Sequence, residues 1–153
     1  IDHRFGNGSA RILGVELLDE KGTPTREVLG GRSIVLRISA EFLKDVARPI
    51  LGYTLRDRLG VDISACNTNY AGNVLPAARK GQIYTSDFRI RMPRMGAGSY
   101  SFAPAVADGD LLMHDMCDWI DNALVFYLGA DELVYGTLKM DVEVRTYASE
   151  GGA

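Results

Sequence analysis

The sequence predicts an all-β protein, an antiparallel β-sandwich of the jelly-roll or immunoglobulin-like kind with about eight strands. Three observations predict it. Apolar and polar residues alternate with period two over several stretches, as they do in strands with one buried face. Gly, Pro, Asn and Asp punctuate those stretches at fairly regular spacing. Helical periodicity is almost absent. Such a chain closes its core by packing two sheets about 10 Å apart. With 153 residues there is enough for one full core and too little for two ordinary domains.

Residues 1–9, IDHRFGNGS, are polar and Gly-rich and read as a flexible lead-in or loop. Arg11 to Leu18 alternates, with Leu13, Val15 and Leu17 on one face and Gly14 and Glu16 on the other. Asp19 to Pro24 is turn chemistry, and Leu29-Gly30-Gly31 is a second break. Ser33 to Phe42 is the cleanest strand: Ile34, Leu36, Ile38, Ala40 and Phe42 share one face, Arg37, Ser39 and Glu41 the other. After a loop at 44–49, Ile50 to Arg58 places Leu51, Tyr53 and Leu55 inward and Thr54, Arg56 and Arg58 outward. Gly60 turns the chain into a short polar strand, Val61 to Asn69.

Residues 71–81 form a connection bounded by Gly and Pro. Tyr84 to Met92 alternates Tyr84, Ser86, Phe88, Ile90 and Met92 against Thr85, Asp87, Arg89 and Arg91. Pro93 to Gly98 turns. Ser99 to Val106 is the next strand, where Pro104 predicts an edge or a bulge because it lacks a ladder N–H. Asp108 to Leu128 gathers the single Trp119, His114 and Cys117, then ends in an apolar run at 123–128. Leu112, Met116, Trp119 and Ala123 fall at helical spacing, so a turn or two of helix over 110–120, capped by Asp110, competes with a strand before the one at 122–128. Residues 129–136 bridge to a last strand, 137–145, in which Leu138, Met140, Val142 and Val144 oppose Lys139, Asp141, Glu143 and Arg145. The tail YASEGGA frays. There is no internal repeat, low-complexity segment or domain boundary.

Composition narrows the function classes. The net charge of −3 weakens the case for nucleic acid or an anionic membrane surface, since both need basic patches. Two cysteines, Cys66 and Cys117, imply no disulfide framework, although a single bridge stays open. No apolar run approaches the roughly 20 residues of a membrane span, and no signal-peptide pattern is present. Gly96-Ala97-Gly98-Ser99 lacks the Lys and helix of a phosphate loop. His3 and His114 are far apart with no carboxylates at metal-ligand spacing, and neither CxxC nor a G-x-S-x-G elbow occurs. Asp115, Asp118 and Asp121 lie three apart. They read as solvated or capping carboxylates, with the acid pair of a glycosidase as the minor alternative. The chain is therefore expected to be non-enzymatic, with no cofactor and no metal.

What remains is binding. A sugar site needs aromatic faces for pyranose rings and planar polar groups for hydroxyls, both on a rigid sheet or its loops. The outward candidates are Thr54, Arg56 and Arg58 on one strand, Asn67, Asn69 and Tyr70 on its hairpin partner, His114 in its polar loop, and Tyr127 opposite Leu124, Phe126 and Leu128. A plain solvated face is the competing reading for the arginines and asparagines, and edge packing for Tyr127. Trp119 reads first as a seal on one end of the core and second as a stacking platform.

Four segments in register also carry a resemblance. RFGNGSARILGVELLDEKG at 4–22, GYTLRDRLGVDI at 52–63, CNTNY at 66–70 and DGDLLMHDMCDWIDNALVFYL at 108–128 make the chain similar to a known domain. It resembles the C-terminal carbohydrate-binding domain of the Wzt-type ATP-binding subunits of ABC transporters that export bacterial O-antigen polysaccharide. The resemblance implies a jelly-roll-like sandwich without catalytic activity, excised from a longer chain in which an ATPase domain precedes it. It implies a place on the cytoplasmic side of the inner membrane, coupled to the transporter's membrane subunit through that ATPase. It implies recognition of the finished non-reducing end of an undecaprenyl-linked glycan, and a homodimer, and the linker at 129–136 is compatible with exchange of the last strand between protomers. In the same pattern Asp118-Trp119 and Asn122-Ala123 look structural. A protein-interaction or dimerisation sandwich that binds no glycan is the alternative.

Overall fold

The computed structural model describes residues 3–150. Ten strands build two sheets, and no helix occurs among the described residues. The smaller sheet has the order β2 (Ala10–Leu18), β4 (Ser33–Phe42), β7 (Ile83–Arg91). The larger is organised around β8 (Gly98–Gly109). On one side of β8 lies β5 (Pro49–Asp57), with β6 (Asp62–Asn67) beyond it. On the other side β10 (Leu124–Gly129) pairs with the first half of β8 and β9 (His114–Ile120) with the second. Two short strands extend these: β1 (Arg4–Phe5) on β9, and β3 (Glu27–Leu29) on β10. All pairs are antiparallel except β3 with β10.

The alternation of β4 is the spine of the core. Leu36, Ile38, Ala40 and Phe42 are fully buried, and Ile34 nearly so. Leu51, Phe102, Val106, Leu124 and Leu128 meet them from the opposite sheet. Tyr53 bridges the layers, edge-on to Phe88 of β7 at 5.3 Å and to Phe102 at 5.4 Å, while Phe102 stacks on Phe126 at 5.2 Å. Burial of one such ring stabilises by about 1.5–3 kcal/mol, and well-set aromatic pairs add about 0.5–1.5 kcal/mol. Burial also pushes the Tyr53 hydroxyl up to about 12 and the Cys117 thiol to about 11, so both stay protonated at neutral pH. Both cysteines are free.

Several expectations change. The lead-in is not wholly loop, because Arg4 and Phe5 pair with Ile120 and Trp119. In β2 a bulge between Ile12 and Gly14 resets the parity, so Ile12 points inward and Leu13 is 51% exposed. Glu27–Leu29, which ends on the first residue of the break read at Leu29-Gly30-Gly31, forms a strand. Pro104 lies on the central strand rather than an edge. The β10 register stops at Phe102 and the β9 register starts at Ala105, so Pro104 falls where that side of β8 changes partners. Residues 114–120 are strand, not helix. The last predicted strand does not form. Leu138 makes an isolated bridge to Met95, and the described residues beyond it join neither sheet. Met140, Val142 and Val144 alternate as read, but they are 70%, 76% and 86% exposed, so the pattern finds no intrachain sheet to complete.

Candidate functional site

The outer face of the larger sheet carries a cavity of about 310 Å3, at the small end of the roughly 300–1,000 Å3 usual for small-molecule sites. Its floor follows from strand register. Gly52 pairs with Ala105, Ile50 with Ala107, and Ala105 in turn with Trp119. Across the hairpin, Thr54 pairs with Ala65 and Gly52 with Asn67. Small side chains at 52, 65, 105 and 107 leave a depression between the larger groups of β6 and β9. Gly52 is required there: a Cβ would lie 2.7 Å from both the Cys66 carbonyl oxygen and the Asn67 Cβ, so any side chain would push β6 away.

The rim is polar and held by local backbone bonds. Asp110 Oδ1 accepts the N–H groups of Leu112 (2.9 Å) and Met113 (2.7 Å), which sets the tight loop between β8 and β9. Those two N–H groups hold the Asp110 carboxyl below the usual carboxylate range. The His114 ring nitrogen Nδ1 lies 3.2 Å from the Asp110 carbonyl oxygen. Opposite, Asn67 Oδ1 accepts the Tyr70 N–H at 2.8 Å, and the Tyr70 side chain is largely exposed. Asn67, Tyr70, Asp110, Leu111, His114, Met116 and Trp119 all line the cavity.

Trp119 does not seal the core. Opposite Val106 and Ala107 of β8, β9 carries one extra residue, Cys117. The bulge turns Cys117 and Asp118 inward and Met116 and Trp119 outward. The Trp119 indole stacks on Phe5 at 5.8 Å, and the Arg56 guanidinium sits 5.5 Å over it. Its Nε1 donates to Asp121 Oδ1 at 2.6 Å. Arg56 donates to the same oxygen at 2.6 Å and to Asp62 at 2.7 Å. The indole is thereby fixed with one flank toward the cavity.

The Trp119 N–H, with Arg56 behind it, draws the Asp121 carboxyl below its ordinary 3.8. A lowered folded-state value stabilises the protein above 3.8, and that contribution is lost as pH falls through the folded value. Melting curves from neutral pH to below 3.8 should show this loss, and Asp121→Asn should be less stable at neutral pH but lose less on acidification.

Of the outward residues marked in the sequence, Thr54, Asn67, Tyr70 and His114 come together around this cavity. Arg56 stands beside it, committed to Asp62 and Asp121. Arg58 lies at the turn after β5, in a separate depression with Ser99 and Asn122. Tyr127 is half-exposed on β10 opposite Ser99, away from the cavity. Asn69 sits in the turn after β6 with its Oδ1 buried and without a hydrogen bond. Sequence reading missed the floor, whose signal was the repeat of Ala103, Ala105 and Ala107 along one face of β8. The three aspartates do not form an acid pair. Asp118 is buried and bonded to Arg4, Asp121 is bonded to Arg56, and Asp115 is exposed. Among the described residues no group of three His, Cys, Asp or Glu is placed to hold a metal ion. Among the described residues no helix is long and apolar enough to cross a membrane.

Comparison with known proteins gives the fold a relative. The crystal structure of the C-terminal domain of Wzt superposes with a TM-score of 0.84 at 13% identity, over 95% of this chain and 88% of that one. The CARDB domain of a Pyrococcus furiosus protein (TM-score 0.42, 10% identity, 82% and 92% covered) and a β-glucosidase from Listeria innocua (0.42, 10%, 83% and 16%) share only a loose layout. No curated protein matches the sequence. The family model of the Wzt C-terminal domain matches residues 2–140, nearly the whole chain including every strand that builds the cavity, so the chain belongs to the Wzt C-terminal domain family.

Proposed function

We propose that this domain recognises an O-antigen polysaccharide at its modified non-reducing end, in the cavity over β5, β6, β8 and β9, without catalysing any reaction. Family membership supports a carbohydrate-binding role attached to an ABC transporter in general. The observation that carries the finer reading is the cavity itself. It combines two aromatic walls, Trp119 and Tyr70, with planar or hydroxyl groups on Asn67, Asp110, His114 and Thr54, all set on a rigid sheet and its tight loops. That is the mix that sugar rings and hydroxyls require. In the same reading an ATPase domain precedes this one in the full protein. It docks on the membrane subunit, and the glycan is met at the cytoplasmic face before export. A shallow, wet site predicts modest affinity. Titration of the folded domain with purified O-polysaccharide, followed by NMR, should perturb the Trp119 indole and His114 signals. No response to either the intact or the end-modified chain would refute the reading.

A dimer with an exchanged C-terminal segment belongs to the same proposal. The exposed stripe of Met140, Val142 and Val144 has strand periodicity and no intrachain ladder. β7 is an edge strand whose inward residues Tyr84, Phe88 and Ile90 are only half-buried. A partner's stripe laid on that edge would satisfy both. The same edge favours the alternative of a pure dimerisation sandwich. Light scattering on the chain with and without residues 139–153 tests the dimer independently of sugar, with a dimer expected only for the longer form.

A further inference from the structure

A polysaccharide whose end sits in a cavity of about 310 Å3 must run out of it across the sheet. Two sides are walled. The Asp110–Met113 loop closes the far end of β8, and the Asn67–Tyr70 turn stands at the end of β6. Toward the start of β8 no bulky side chain rises from that strand, whose outward residues are Ala107, Ala105, Ala103, Ser101 and Ser99. This path passes the cluster of Arg56, Trp119 and Asp121 and ends in a second depression of about 490 Å3. Ser99 and Ser101 line it where Ala105 and Ala107 line the first cavity, so the two lie six residues, or about 20 Å, apart along β8.

The second depression has the donors and the apolar contacts that a sugar ring needs. Arg58 is exposed and, unlike Arg56, forms no ion pair among the described residues. Its planar fork can donate to two neighbouring hydroxyls of one ring. The one carboxylate of the lining, Asp57, is committed to the backbone. Its Oδ1 accepts the N–H groups of Leu59 at 2.9 Å and Val61 at 3.0 Å, which shapes the turn that carries Arg58. On the other side Ser101 donates to Asn122 Oδ1 at 3.0 Å and fixes that carboxamide at the turn between β9 and β10. Leu59 and Val125, both exposed, flank these groups and can pack against the C–H face of a ring. Resting on the glycan reading above, we propose that the Arg58 depression is a second subsite, which holds an inner pyranose of the same chain by a pair of adjacent hydroxyls while the end occupies the cavity.

The test uses the folded domain and O-polysaccharide fragments graded in length from two sugar rings upward, each keeping its non-reducing end. Fragments long enough to cover about 20 Å are expected to bind at least about tenfold tighter than shorter ones, because the second contact becomes intramolecular. They should also shift the Val125 methyl signals, whereas short fragments shift only those of the cavity. Arg58→Ala, at an exposed position without an ion pair, is expected to erase the length-dependent gain and to leave short-fragment affinity within about twofold. Arg58→Lys keeps the charge but not the fork and should restore only part of the gain. Equal affinity at all lengths overturns the proposal and leaves the glycan reading intact, and so does a gain that survives Arg58→Ala. Silence of every fragment and of the whole polysaccharide removes both.

Discussion

Asp118→Ala is expected to lower the melting temperature by roughly 6–12 °C, from a loss of about 3 kcal/mol in a domain of this size. Asp118 is 6% exposed, and its carboxylate ties β9 to two strands more than a hundred residues earlier, β1 and β2. Arg4 of β1 grips it with two bonds, Nε to Oδ1 at 3.0 Å and Nη2 to Oδ2 at 2.6 Å. Ile12 of β2, in the other sheet, donates its backbone N–H to Oδ2 at 2.8 Å. Truncation leaves that N–H buried without an acceptor, beside the bulge that sets the parity of β2, and frees β1 from the face that supports Trp119. The Arg4 side chain is 30% exposed, so water can compensate it in part, and Arg4→Ala should cost less than Asp118→Ala. Asp118→Asn keeps an acceptor for Ile12 and should fall between the two. Thermal denaturation of the three variants checks the order. A fall under about 2 °C for Asp118→Ala would mean that the carboxylate merely decorates the junction.

Strands buried on one face and regularly paired were legible in the sequence, because period two survives wherever register is unbroken. β4, β5 and β7 read correctly for that reason, inward residues included. Bulges defeated the reading elsewhere. One extra residue in β2 sent Leu13 outward, and one in β9 put Met116 and Trp119 on the same face three positions apart. That spacing is also the signature of a helix, which is why the segment 110–120 was ambiguous and Trp119 was assigned to the core. The C-terminal stripe failed differently. Its alternation is real, but periodicity reports that a segment can pair, not where its partner is. The site was half legible. Outward polar groups could be marked by parity, yet only the sheet order separates Asn67 and His114, which converge, from Arg58 and Tyr127, which do not. The floor was invisible for a further reason: alanine and glycine in a strand look like weak packing until their neighbours are known.

Ala105→Leu puts that floor to the test and is expected to reduce glycan affinity at least tenfold, about 1.4 kcal/mol, with the melting temperature changed by no more than about 2 °C. Ala105 lies between its ladder partners Gly52 and Trp119, with its methyl group in the cavity rather than between the sheets. Larger side chains in a packed interior usually force neighbours aside at about 1–3 kcal/mol, but here the added carbons enter open space. They occupy the volume a sugar substituent would fill and cover the flank of Trp119 that faces it. Stability and binding therefore separate, which truncation of Trp119 could not achieve because its indole also anchors Asp121 and packs on Phe5. Tyr127→Ala is the matched control: half-exposed on the same sheet but outside the cavity, it should leave affinity within about twofold. The opposite result, full affinity in Ala105→Leu and a loss in Tyr127→Ala, would move the glycan from the cavity to the open surface of β10.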